Sequence, residues 1–194
     1  MDLFLAISQG VGTSLATGVR AFLVPLLVGA MARANAGADF EGTSYEFLES
    51  TFWLALMLAL IVGAWLVERV QVPVSVAAWG VASAAIGAVL FAGSLAEEGY
   101  STEPGLLGGA VLGLLGFLAA RTFLGRAGER LSARGEAGAR GTLSLMADAA
   151  ALVLAALALL VSPVSYVALA FCAWVLLAHR RRTARKYEGL RILR

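Results

Sequence analysis

The sequence predicts an all-α integral membrane protein of six transmembrane helices, arranged as two inverted three-helix repeats. Three observations predict it. First, 60% of the 194 residues are hydrophobic and only 14% are charged, against roughly 25% charged in a soluble domain. Several apolar runs approach the ~20 residues that cross about 30 Å of hydrocarbon. Second, the chain echoes itself. Gly12, Arg20, Phe22 and Leu23 recur at the same spacing as Gly113, Arg121, Phe123 and Leu124, and Pro73-Val74-Ser75-Val76-Ala77 recurs in outline as Pro163-Val164-Ser165-Tyr166-Val167-Ala168. Third, each half holds three long apolar segments, and an odd number brings the second half into the membrane from the opposite side, the plan of an inverted repeat. The halves are 1–100 and 101–194, the second ending in a basic cytoplasmic tail.

The first segment, 3–32, is too long for one straight span, and Gly18 and Pro25 offer places to bend or end it. It lacks the basic start of a cleavable signal peptide and runs on past Pro25. The second, 51–68, closes at Glu68-Arg69, before Pro73. The third, 74–96, carries no charge and is the clearest span. The fourth, 104–125, is entered through Ser101-Thr102-Glu103-Pro104, a start signal with proline in the first turn. The fifth, 142–161, and the sixth, 164–180, are joined by a tight turn at Ser162-Pro163.

Charge then orients the spans, because basic residues collect at cytoplasmic ends. The segment after the fourth span carries Arg126, Arg130, Arg134 and Arg140, and the tail carries seven more bases from Arg180 to Arg194. The segment after the first span holds only Arg33 beside Asp39, Glu41, Glu46 and Glu49, and the segment after the third holds Glu97, Glu98 and Glu103 and no base. Both termini are therefore expected in the cytoplasm, in a bacterial inner membrane. Trp53, Trp65, Tyr100, Tyr166 and Tyr187 fall where an aromatic belt would sit.

Several function classes find no support. The single cysteine, Cys172, gives neither a disulfide frame nor a thiol metal cluster, and the single histidine, His179, abuts Arg180 at a membrane edge. There is no P-loop, dinucleotide fingerprint, nucleophile elbow or HExxH. No catalytic residue, metal site or cofactor is expected. A net charge of +2 without a recognisable binding module argues against nucleic acid. The basic tail is expected to meet anionic lipid headgroups, and a homo-oligomer is compatible with the chain.

Two stripes and two ionisable groups remain. Gln9, Thr13, Thr17 and Arg20 share one helical face. In lipid such a face must turn inward, either as the lining of a pathway or as interhelical glue. Gly105, Gly109, Gly113 and Gly116 form a small-residue stripe on the fourth span, with Ser8 and Gly12, extended by Ala16, as counterparts on the first. Close approach of these two spans is expected there, with Ser83, Ala84 and Gly87 serving similarly on the third. Arg20 is placed toward the outer side, within reach of Glu46 or Glu49. Arg121 and Asp148 fall at comparable depths near the inner side, where an ion pair would lower the cost of holding both in the membrane.

Gly18-Val19-Arg20-Ala21-Phe22-Leu23-Val24-Pro25-Leu26-Leu27 resembles the opening motif of a bacterial membrane family catalogued as domain of unknown function four-one-two-six. The ending Lys186-Tyr187-Glu188-Gly189-Leu190-Arg191-Ile192-Leu193-Arg194 is similar to that family's ending. The resemblance covers most of the chain in layout and is specific in these two stretches. It implies a second span closing on Glu, an Asp-Lys pair and Pro. Glu68 and Pro73 fit, whereas Arg69-Val70-Gln71-Val72 stands where the pair would be. It implies a fold and no particular activity.

The expected function is a channel or transporter for a small solute, an anion before a cation. Its path would run between the repeats past Gln9, Thr13, Thr17 and Arg20, with Arg121 and Asp148 at the inner mouth. The alternative is a non-transporting scaffold or accessory protein that contacts lipids or partner proteins.

Overall fold

A computed structural model describes residues 2–70, 75–132, 139–161 and 164–188. Pro73 and Val74, the Ser162-Pro163 turn and the last six residues of the tail lie outside the described residues, as do the side chains of Glu68 and of residues 126–140 and 179–194. The described chain is all helical: α1 (Asp2–Val19), α2 (Leu23–Arg33), a 3-10 turn (Glu46–Glu49), α3 (Thr51–Val70), α4 (Val76–Glu97), α5 (Glu103–Ser132), α6 (Ala139–Leu160) and α7 (Val164–Glu188).

Three stretches are long and apolar enough to cross a membrane: Val76–Glu97, Glu103–Gly125 and Gly141–Leu160. Four shorter apolar helices accompany them: Leu3–Val19, Leu23–Arg33, Thr51–Val67 and Val164–Ala178. The outer surface is apolar as well, with Phe52, Leu107, Leu145, Val167 and Val81 each about two-thirds or more exposed. Patches of this extent are unusual on a soluble monomer and suit hydrocarbon.

The first apolar segment is two helices, not one bent span. Pro25 has no N–H to donate to the Ala21 carbonyl, and its ring would clash with that carbonyl in a continuous helix. The helix therefore stops with Arg20 N–H donating to Ala16 O (3.2 Å) and restarts so that Pro25 falls in the first turn of α2, where its N–H is not needed. After the turn the chain runs back. Gln9 Nε2 on α1 donates to Gly37 O beyond the end of α2 at 2.6 Å. The twelve residues from Gln9 to Arg20 span about 18 Å and the eleven of α2 about 16 Å, as a hairpin turning at 20–22 requires.

That hairpin reverses the expected placement of the N-terminus. Gly10 meets Phe91, Ser14 Oγ donates to Gly87 O at 2.9 Å, and Gly18 abuts Gly113, Gly116 and Phe117. Rising numbers on α1 thus meet falling numbers on α4 and rising numbers on α5, so α1 is antiparallel to α4 and parallel to α5. The N-terminal end of α1 lies with the acidic segments, opposite the end where α5 and α6 are joined through the arginine-rich connection. Two termini on one cytoplasmic side, with all basic clusters beside them, do not fit this arrangement.

The same direction overturns the inverted repeat. An inversion requires the helices carrying Gly12…Arg20 and Gly113…Arg121 to run antiparallel, and they run parallel. The second echo behaves differently again. α4 starts near the hairpin turn, where Trp79 meets Phe22 (ring centroids 5.8 Å), whereas α7 starts at the opposite end, where Tyr166 stacks on Phe4 (5.4 Å). No single twofold relates both echoes. The two halves also interleave, with α1 packed between α4, α5 and α6.

Small residues set the tightest contacts, chiefly between α4 and α5 and also where α5 meets α1. A Cβ on Gly105, Gly109 or Gly113 would strike Ala92, Gly87 or Ser83 of α4. The GxxxG of α5 therefore seats on α4, through the Ser83-Ala84-Gly87 stretch, while Gly116 faces α1, against Leu15 and Gly18, and the Gly113 carbonyl also approaches Gly18. Gly12 faces Ala158 of α6 and Ser165 of α7 instead, and Ser8 is buried on α1.

Candidate functional site

The hairpin turn ends in a cavity of about 450 Å³. Its wall is the turn itself, Gly18 to Leu23, with Ile61, Ala64 and Trp65 from α3, Trp79 and Ser83 from α4, Phe117 from α5, and Ser144, Asp148 and Leu152 from α6. The cause is a mismatch in helix length. α2 has 11 residues, about 16 Å, whereas α3 has 20, about 30 Å. α3 packs on α2 and on the 3-10 turn, then overhangs the hairpin and leaves a gap between itself and the α4–α6 bundle. Irregular backbone at membrane depth is tolerated where it is buried in protein or lines a cavity, as this turn does.

The charged centre of the wall is Arg20 with Asp148. Arg20 Nε is within ion-pair contact of Asp148 Oδ1, and Arg20 Nη2 donates to Ser144 O at 3.2 Å and to the Ser144 hydroxyl. The two side chains are 26% and 36% exposed, so each faces protein on one side and the cavity on the other. Ser144 and Asp148 are one turn apart on α6 and share a face. The C-terminus of α1 and the N-terminus of α2 also end at this wall. Phe22 caps α2 without a side-chain hydrogen bond, and the two helix ends present opposite partial charges.

Around the ion pair the wall is apolar and aromatic. Phe22 leans on Trp79, and Phe117 and Trp65 complete the ring. The Arg69 guanidinium lies over the Trp65 ring, 4.7 Å from its centroid, at the end of α3 nearest the basic end of the bundle.

The other expected site residues are distributed differently. Arg121 is exposed on α5, and Asp148 pairs with Arg20 in place of Arg121, because α6 packs more extensively on α1 and α2 than on α5. Arg20 sits at the hairpin turn, away from the acidic segment that holds Glu46 and Glu49. Glu49 is at the far end of α2, where its Oε1 accepts from Phe40 N–H at 2.5 Å. The middle of the stripe on α1 is packed shut. Thr13 and Thr17 are 1% and 0% exposed, and their hydroxyls donate to Gln9 O (2.8 Å) and Thr13 O (2.6 Å) of their own helix. Gln9 is held by Gly37. None of these three residues lines the cavity at the hairpin turn.

Sequence reading missed Ser144, Phe22, Trp65, Trp79 and Phe117. Ser144 carried a usable signal, lying one turn before the only acidic residue of its helix. The aromatics carried none, since an aromatic in an apolar span faces lipid or protein with equal ease. Among the described residues no group of three or more His, Cys, Asp or Glu is disposed to hold a metal ion.

No protein-family model, curated protein or solved structure matches the chain, so the resemblance to the bacterial family rests on the two stretches that carry it, one of which, Gly18 to Leu27, builds the hairpin turn.

Proposed function

We propose that the protein is a carrier in a bacterial inner membrane that takes a small charged solute into the cavity at the hairpin turn. Arg20 receives an anionic group of the solute, and Asp148 is the charge that Arg20 exchanges for it. The reading is supported by one observation above all: a broken helix, an ion pair and a cavity of about 450 Å³ coincide at one point. Small-molecule sites commonly enclose roughly 300–1,000 Å³, with a few polar groups in an apolar wall, and broken helices form the solute sites of many transporters. Between the cavity and the N-terminal end of α1 the bundle is closed by Thr13, Thr17 and their neighbours. A continuous channel along α1 is therefore disfavoured, and a carrier open to one side at a time takes its place.

The orientation that follows from charge puts the basic end in the cytoplasm and the N-terminal end of α1 outside. In it the cavity opens toward the cytoplasm, and the arginine tail meets anionic headgroups. No enzymatic role is proposed. The second reading, a non-transporting scaffold, draws on the shut packing of Thr13 and Thr17.

The test is flux in proteoliposomes. Wild type and Arg20→Gln are reconstituted and screened for movement of inorganic anions, carboxylates and amino acids. Flux above empty vesicles that is lost in Arg20→Gln supports the carrier. Absence of flux for every solute, with folded protein in the vesicles, favours the scaffold.

A further inference from the structure

We infer that the gap beneath α3 is a phospholipid site, with an acyl chain against Ile61, Ala64, Trp65, Trp79 and Phe117 and the lipid phosphate on Arg69 at the rim. This site goes beyond the carrier reading and does not rest on it, because a carrier and a scaffold would hold the lipid alike.

The reason lies in how α3 is seated. Among the described residues α3 packs on α2 and on the 3-10 turn, with no comparable packing on α4, α5 or α6. Its later half, from Ile61 on, faces the gap on one side and the surroundings on the others. Val62, Trp65 and Leu66 there are each about half exposed. The gap is thus bounded by a helix that stands off the bundle, and in a membrane lipid surrounds that helix.

The wall divides by chemistry. Arg20, Ser144 and Asp148 come from the hairpin turn and α6, and Ser83 of α4 is almost fully buried. α3 contributes Ile61, Ala64 and Trp65 and no charged group, and Trp79 and Phe117 add aromatic surface. Water held in a void needs several polar partners, and this part of the wall offers only the ring N–H groups of its tryptophans. A void left empty forfeits dispersion contacts along its whole lining. A hydrocarbon chain restores those contacts and leaves Arg20 and Asp148 to a charged solute.

The rim supplies the headgroup contact. Trp65 lies about 8 Å before the end of α3 at Val70, and Trp79 about 5 Å after the start of α4 at Val76. Both therefore sit close beneath the basic end, at the depth where tryptophan gathers in a bilayer. Arg69 is in the exposed last turn of α3, with its guanidinium over the Trp65 ring. The ring orients the guanidinium, whose paired N–H donors match two phosphate oxygens. A cation held at the mouth of an apolar gap is complementary to an amphiphile with phosphate at one end and hydrocarbon at the other.

Quenching of tryptophan emission by brominated lipid tests the site. With Trp53→Phe and Trp174→Phe in place, the emission comes from Trp65 and Trp79 alone, and both line the gap. This protein is titrated in detergent micelles with phosphatidylglycerol brominated on its acyl chains. A second titration uses a brominated alkyl maltoside, which has the chain without the phosphate. The expected result is saturable quenching by the lipid, half complete at a mole fraction roughly tenfold below that for the maltoside, as one charge-assisted hydrogen bond gives. Arg69 is exposed, so Arg69→Gln is expected to fold and to move the lipid curve onto the maltoside curve. Ala64→Leu, which fills the gap from α3, should remove the saturable phase with Arg69 intact. Should either variant fail to fold, the lipid and maltoside titrations of the parent protein decide alone. Coincident curves for lipid and maltoside overturn the site and leave only the lipid that surrounds any membrane protein. An unchanged lipid curve in a folded Arg69→Gln or Ala64→Leu protein overturns it too. Solute flux enters none of these readouts, so loss of the site leaves the carrier reading standing, and loss of the carrier leaves the site.

Discussion

Arg20 and Asp148 meet at the turn of the α1–α2 hairpin, a cation from irregular backbone and a carboxylate from the middle of α6. Neither is fully enclosed, so the pair is a joint between two elements and a wall of the cavity at once. Residues coupled in this way show interaction energies of roughly 0.5–3 kcal/mol in double-mutant cycles, and the partial exposure of this pair sets the lower half of that range. Arg20→Gln and Asp148→Asn should each destabilise the protein in detergent. The double variant should lose clearly less than the sum of the two. Denaturant titration measures all four proteins, and additive losses would show that the contact contributes nothing.

The hairpin makes a topological prediction. With Cys172 replaced by serine, single cysteines at Leu3 and Gly42 should react with an impermeant thiol reagent from the same side of sealed vesicles. A cysteine at Gly125 should react from the other side. Leu3 and Gly42 labelled from opposite sides would mean that α1 and α2 form one continuous span.

The α4–α5 seam is predicted to be intolerant of volume. A side chain at Gly109 or Gly113 would meet the backbone of Gly87 or Ser83, which cannot swing aside. Gly109→Val should cost at least the 1–3 kcal/mol of ordinary overpacking and lower the melting temperature in detergent. Gly63→Ala is the control, because nothing lies within 4 Å of the added methyl. It should be neutral or stabilise by up to about 1 kcal/mol through helix propensity.

Thr13 and Thr17 distinguish packing from pathway. Each hydroxyl is satisfied by its own helix, so Thr13→Val and Thr17→Val should each change stability by about 1 kcal/mol or less. Flux of any solute carried by the wild type should be unchanged. A large drop in flux with normal folding would restore the α1 stripe as a solute path.

Much of the fold was legible because its causes are local. Apolar runs of the right length read as helices, and the charge-free stretch in α4 stands close to where it was expected, at Val76–Glu97. Pro25 marked a place where the first segment could bend or end, since the missing N–H and the clash with the Ala21 carbonyl depend on neighbouring residues alone. Gly109 and Gly113 announced a close helix approach. The candidate site was legible in part: Arg20 and Asp148 stood out as ionisable groups in apolar helices, which are costly enough to need partners.

What the sequence by itself determined is therefore a list of parts: the apolar segments, a place near Pro25 where the first could bend or end, the small-residue seam and the ionisable groups. Tertiary structure decided how they face one another. Hydropathy has no direction, so a 30-residue apolar stretch with a proline serves equally as one bent span or as a hairpin. Packing of α1 against α4, α5 and α6 chose the hairpin. That choice reversed α1, set it parallel to α5, removed the inversion implied by the echoes, and brought Arg20 to Asp148 instead of leaving Arg121 there. Partner choice depends on which helix faces are in contact, and that is a property of the whole packed bundle, not of any one segment.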